Sequence, residues 1–173
     1  MVPYSDEAIE FLKKRGEWED VRLILTAVEK PDYGASLFSA NDAKYRTAAR
    51  AVYAMGRNRF GELVELEMPP QVRLHIIVAA SEKAFRSLTD SQILNLLFSK
   101  DDAIRKAASL KCICSLTKDR LSRIFDAYSS ADQYRFYNVI FWLDMGLSIP
   151  RERATRAAQG VIESTWRGKS VGT

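Results

Sequence analysis

An all-α fold built from consecutive helix pairs is the prediction of this sequence, and three observations make it. Apolar residues recur at three- and four-residue steps along most of the chain, and no run alternates strictly every two residues over several positions. The eight glycines and five prolines of the 173 residues fall mostly between those periodic stretches, where helices have to stop. Third, an apolar or aromatic residue followed by Arg, early in an apolar helix, returns at Val21-Arg22, Tyr45-Arg46, Val72-Arg73, Ile104-Arg105 and Tyr134-Arg135. The arginines are 24, 27, 32 and 30 residues apart, the drifting interval of degenerate repeats.

The clearest copy is Asp101 to Thr117, DDAIRKAASLKCICSLT. Asp101 and Asp102 stand where a helix start offers unpaired N–H groups and a positive dipole end, so the helix begins there. Behind them Ala103, Ile104, Ala107, Ala108, Leu110, Cys114 and Leu116 cover most of the circumference, and Asp102, Arg105, Lys106 and Ser109 leave a narrow polar stripe. A helix so covered needs neighbours on both sides. Small residues at Ala107 and Ala108 admit one closely, as stacking of layers requires.

These residues carry a family resemblance. Asp42-Ala-Lys-Tyr45-Arg46-Thr-Ala-Ala49 and Asp101-Asp-Ala-Ile104-Arg105-Lys-Ala-Ala108 resemble the opening of the second helix of a HEAT repeat, which runs Asp, two spacers, Val-Arg, two spacers, Ala. The other copies depart from it. Trp18 and Pro69 replace the acid before Val21 and Val72, Asp132 lies one position nearer its arginine, and Leu25, Ile76 and Asn138 replace the small residue. The resemblance implies a right-handed α-α superhelix of about five HEAT-like helix pairs, outer helix then inner, over residues 1–166. It implies an architecture and no particular activity.

In chain order, Ser5 and Asp6 open a helix that runs to Arg15 and stops at Gly16, and its inner partner carries Val21, Leu23, Ile24, Leu25 and Val28 before Lys30-Pro31. Tyr33 to Ser39 is expected to be a reduced outer helix. Asn41 or Asp42 then caps a long inner helix to Met55, closed by Gly56. Arg59 to Glu67 is the next outer helix, and Pro69-Pro70 ends it and starts an inner helix reaching about Ala84, since proline fits a first turn. Thr89 or Asp90 caps Ser91 to Phe98, the reference helix follows, Lys118 to Tyr128 is outer, and Asp132 opens the last inner helix. Pro150 sits inside a C-terminal capping helix, Arg151 to Ser164, whose thin apolar face of Ala154, Ala157, Ala158, Val161 and Ile162 suits the end of an open stack. Residues 167–173 are expected to be a disordered tail.

Charge and cysteines bound the function. The excess of 26 basic over 22 acidic residues gives a net charge of +4, compatible with a polyanion without requiring one. Cys112 and Cys114 are two apart on a helix and point to different faces, so they are expected to be buried thiols of a reducing compartment and not a metal clip. MVPYSDEAIEF has no basic n-region or long apolar core, and the most apolar run, Phe136 to Leu147, is broken by Asn138 and Asp144, well short of the ~20 residues of a spanning helix. The expectation is a cytoplasmic protein that binds no membrane.

No arrangement of catalytic type emerges. His75 is the single histidine, and neither a two-histidine metal site nor a nucleophile with its base can be assembled around it. Gly168-Lys169-Ser170 has Glu163 where a phosphate-binding loop needs its first glycine. The expected function is therefore a non-catalytic protein-interaction scaffold without cofactor or metal, gripping another protein or a neighbouring domain by its concave face or an open end. Arg46, Arg50, Tyr53 and Arg57 fall on one helical face, and Arg105 with Lys106 extends it, a set of forks and an aromatic suited to carboxylates, phosphates and peptide backbones. Against this, the motif arginines Arg22, Arg73, Arg105 and Arg135 are expected to bond a neighbouring layer's acid or helix end. Tyr137 and Trp142, in the aromatic helix Tyr134 to Trp142, are the remaining candidates for partner binding. A homo-oligomer, or membership of a longer chain, fits the same open ends. The alternative is nucleic acid held by its phosphates along the basic stripe; in shape alone this resembles the HEAT-like DNA glycosylases for alkylated bases, none of whose catalytic residues is matched here.

Overall fold

The computed structural model describes residues 5–29 and 39–126, and among them the chain is helical throughout, without strands. Helix α1 spans Asp6–Arg15, α2 Trp18–Glu29, α3 Ser39–Gly56, α4 Phe60–Glu65, α5 Pro70–Ala79, α6 Glu82–Arg86, α7 Asp90–Leu97, α8 Asp102–Ser115 and α9 Lys118–Asp126. A 3-10 turn, Arg57–Arg59, joins α3 to α4.

The caps are those the residue types call for. The hydroxyl of Ser5 accepts from the Ala8 N–H at 3.1 Å, and Gly16, at φ 69°, closes α1 with its N–H on the Leu12 carbonyl. Thr89 and Gln92 form a reciprocal capping box at the start of α7, and Asp101 accepts from the Ile104 N–H at 3.1 Å to start α8. Pro70 occupies the first turn of α5.

Packing follows a simple order. Helix α1 packs on α3, α3 on α5, and α5 with α6 on α8, so these helices lie side by side as the chain produces them. Helix α2 packs on α3, α7 on α8, α4 on α3, and α4 meets α7. The core runs continuously between them, with Ile9, Ile24, Phe60, Leu63, Ile76, Ile77, Phe85, Ile93 and Leu97 wholly buried. Helix α5 buries Val72, Leu74, His75, Ile76 and Ile77 because it is flanked on both sides. Truncating Ile77 there would cost about 2–5 kcal/mol.

Sequence places α1 outside and α2 inside, and both helices pack on α3. Trp18, at the start of α2, lies against Gly56 at the end of α3, where an added Cβ would come within 3.0 Å of its ring, and Arg59 sits 5.4 Å over that ring. The start of α2 therefore meets the end of α3 and the turn that follows it.

Two boundaries move. Helix α3 starts at Ser39, which places Asn41 and Asp42 inside it and not at its cap. The inner helix expected to reach Ala84 breaks after Ala79, and α6 restarts at Glu82 with Ser81 as its cap. Of the other expectations, most of the reduced outer helix Tyr33 to Ser39, and everything from Asp132 onward, lies outside the described residues. No described helix is long and apolar enough to cross a membrane.

Candidate functional site

The face of α3 carries four of the residues singled out from sequence. Steps of four, three and four residues hold Arg46, Arg50, Tyr53 and Arg57 on one side of the helix and the turn after it. Arg46, Arg50 and Arg57 are exposed; Tyr53 is half-buried. Its ring meets Phe60 edge-on at 6.0 Å, and its hydroxyl accepts the Ser81 N–H at 2.9 Å. Tyr53 thus reaches out of α3 to the break between α5 and α6.

That break is held from both flanks. Ala80 is buried, and the helix interruption leaves its carbonyl without a backbone partner, a state that costs free energy in a core. Lys111 of α8 supplies one, its Nζ donating at 2.6 Å. Burial pulls the Lys111 ammonium below the ordinary lysine range, partly offset by Cys114 and Glu82. The Ser81 hydroxyl then accepts from the Ala84 N–H at 3.1 Å to start α6. A residue of α3 and a residue of α8 are in this way joined through one kink in α5.

The arginines of α5 and α8 do inward work. Arg73, half-buried, donates to the Val64 carbonyl and, at 2.9 Å, to the Leu66 carbonyl, so it closes the C-terminal end of α4; burial lowers its pKa. Arg105 is buried and donates to the Ser99 carbonyl beyond α7 at 2.7 Å and to Asp102 at 2.8 Å. The two repeat the same act one layer apart, each binding the free carbonyls of the preceding helix end. Lys106 is half-buried, its Nζ 3.0 Å from the other oxygen of Asp102. Arg22 is exposed on α2 and lines a groove of about 420 Å³ with Leu25, Thr26, Glu65, Leu66 and Glu67. Tyr137, Trp142 and Arg135 lie outside the described residues.

Sequence reasoning passed over three polar residues that the fold depends on. Lys111 stands between Leu110 and Cys112 in a nearly continuous apolar run, a signal that it has a buried task. Asp20 is fully buried and takes both Nε, at 2.7 Å, and a terminal nitrogen of Arg15, whose hydrogen bond holds its carboxyl below the usual range. Arg120 of α9 donates to the carbonyls of Arg86 and Leu88 and to Asp90 at 3.0 Å. Arg123 adds a second contact to Asp90 at 3.2 Å, and the Arg120 hydrogen bond is the main reason its carboxyl too titrates low.

Chemically these arrangements bind and brace. Among the described residues no three His, Cys, Asp or Glu side chains converge as metal ligands. Cys112 and Cys114 are free and buried, and burial drives the Cys112 thiol far above its ordinary range, so it forms no thiolate near neutrality. Compared with protein-family models, with curated proteins and with solved structures, the chain finds no match.

Proposed function

We propose that this chain is a HEAT-like α-solenoid, a right-handed stack of helix pairs, that works as a non-catalytic, cytoplasmic interaction module. Its face on α3, with Arg50 and Arg57 as contact residues and Arg46 beside them, takes a partner protein rich in carboxylates; an open end of the stack offers a second surface. One contrast carries the reading. Arg73 and Arg105 spend their donors on helix ends, whereas Arg50 and Arg57 stand exposed on the same series of side-by-side helices. Guanidinium forks on a rigid helix are suited to carboxylates, and they bind without chemistry. The chain-order packing of α1, α3, α5 and α8 supports the stack.

Phosphates are the other anions such a face accepts, and the net charge of +4 keeps nucleic acid as the second reading. Titration of acidic peptides and of duplex DNA and RNA, each at several salt concentrations, separates them. Peptide affinity that drops about tenfold or more in the Arg50→Ala, Arg57→Ala double variant supports the first reading. Tight duplex binding whose log–log salt slope flattens by about two in that variant transfers the function to nucleic acid. If neither class of ligand responds to the two substitutions, the face on α3 is not the site.

A further inference from the structure

We infer that the free flank of α1 is a self-association surface, on which a second copy of this chain docks with its own α1 antiparallel to the first. The inference deepens the open-end surface proposed above and rests on that reading only in taking α1 as the end of its row.

Position makes the flank special. Helix α3 is covered by α1 and α5, and α5 by α3 and α8, whereas among the described residues the main packing of α1 is against α3 and α2. Two large apolar side chains are exposed among the described residues, Phe11 at 65% and Leu23 at 42%, and both belong to these first two helices. An aromatic side chain left that open on a helix with only Ile9 and Leu12 buried is out of keeping with the tight core elsewhere.

Charge names the occupant. Glu7, Phe11 and Lys14 are spaced by four and three residues and form one stripe, all exposed. Glu10 pairs along the helix with Lys13 at 3.7 Å, whereas Glu7 and Lys14 have no partner among the described residues. The stripe reads acid, aromatic, base. Glu7 and Lys14 are about 10 Å apart along the axis, and Phe11 lies within about one residue of their midpoint. A two-fold axis through that midpoint puts Glu7 of each copy on Lys14 of the other and the two Phe11 rings together. That is the self-complementarity an isologous interface needs. An unrelated acidic or basic partner would match only one end of the stripe.

One helix face buries little area, so association in the range of roughly 10–100 µM is expected. Sedimentation equilibrium of the full chain reads it directly. Glu7→Lys and Lys14→Glu, each alone, bring like charges face to face and should weaken the dimer about tenfold or more, while the double swap restores it because the pair is merely reversed. Phe11→Ser should abolish it, with circular dichroism confirming that each variant keeps its helices. A monomer up to roughly 500 µM overturns the inference, as does a dimer indifferent to all three positions, or a double swap that fails to rescue. Capture of a different protein by this stripe in place of self-association also overturns it. The Arg50→Ala, Arg57→Ala variant should dimerise normally, so loss of the α3 reading and loss of this one are told apart.

Discussion

Arg105 on α8 and Arg50 on α3 carry the same guanidinium into opposite surroundings. Arg105 is buried between α7 and α8 with both terminal nitrogens engaged, and Arg50 stands in solvent. What separates them is the spacing to the nearest helix end. Arg105 sits three residues into α8, within reach of the carbonyls that α7 leaves open, while Arg50 sits in the middle of an 18-residue helix where every backbone group already has a partner. An arginine near a junction becomes part of the fold; one in mid-helix remains available to something else.

Removing Arg105 should test this contrast with the largest effect. Arg105→Ala deletes hydrogen bonds made by a buried charge and strands the Ser99 carbonyl, so a loss of about 2–3 kcal/mol is expected. Thermal unfolding would show it as a drop of roughly 5–10 °C. Arg105→Lys should recover little, because one ammonium cannot reproduce the fork. A variant as stable as the parent would mean that Arg105 is not what ties α8 to the end of α7.

The kink between α5 and α6 comes next. Tyr53→Phe and Lys111→Met each remove one side-chain partner from the backbone groups there, with an expected cost of about 1–2 kcal/mol apiece by urea unfolding. Because both brace one interruption, their double variant should differ from the sum of the singles. Strict additivity would argue that α3 and α8 do not communicate through it.

A smaller effect is expected from acid. Hydrogen bonds from Arg15 and Arg120 lower the carboxyl pKa values of Asp20 and Asp90. Their contribution to stability is present above the unfolded carboxylate value of about 3.9 and is lost as pH falls through the lower folded values, since in that window the unfolded chain binds more protons. Asp90→Asn should thus be less stable than the parent at pH 6, with the gap closing well below pH 3.9. An equal gap at both extremes would assign Asp90 a role that does not depend on its charge. Smallest of all, Arg50→Ala with Arg57→Ala should change stability by no more than about 0.5 kcal/mol while changing what the chain binds. A large loss would place these residues in the fold after all.

Most helix starts and stops were legible because they depend on local chemistry. Ser5, Gly16, Asp101 and Pro70 act within one turn of themselves, and their neighbours in sequence suffice to predict them, whereas the choice of Thr89 over Asp90 at α7, with Gln92 closing the capping box, came from the structure. That Arg73 and Arg105 tie to a neighbouring helix end was implied by the repeat resemblance and not by local chemistry, since the carbonyls they bind lie six to nine residues back. The interruption after Ala79 was not legible. Nothing local forbids a helix through VAASEKAF, and the chain departs from it where Tyr53, 28 residues earlier, and Lys111, 31 residues later, can take up the backbone groups that a kink releases.

Taken alone, then, the order of residues determined that this chain is helical, where most of its helices start and stop, and which arginines come early in their helices. Those are matters of periodicity and of hydrogen bonds reaching three or four residues. Tertiary structure alone decided that α1 and α2 both pack on α3, that Tyr53 braces a neighbour instead of facing solvent, and that Phe11 is left uncovered. Each of these depends on which surfaces meet, and that is fixed by the joint burial of apolar area from helices far apart in sequence.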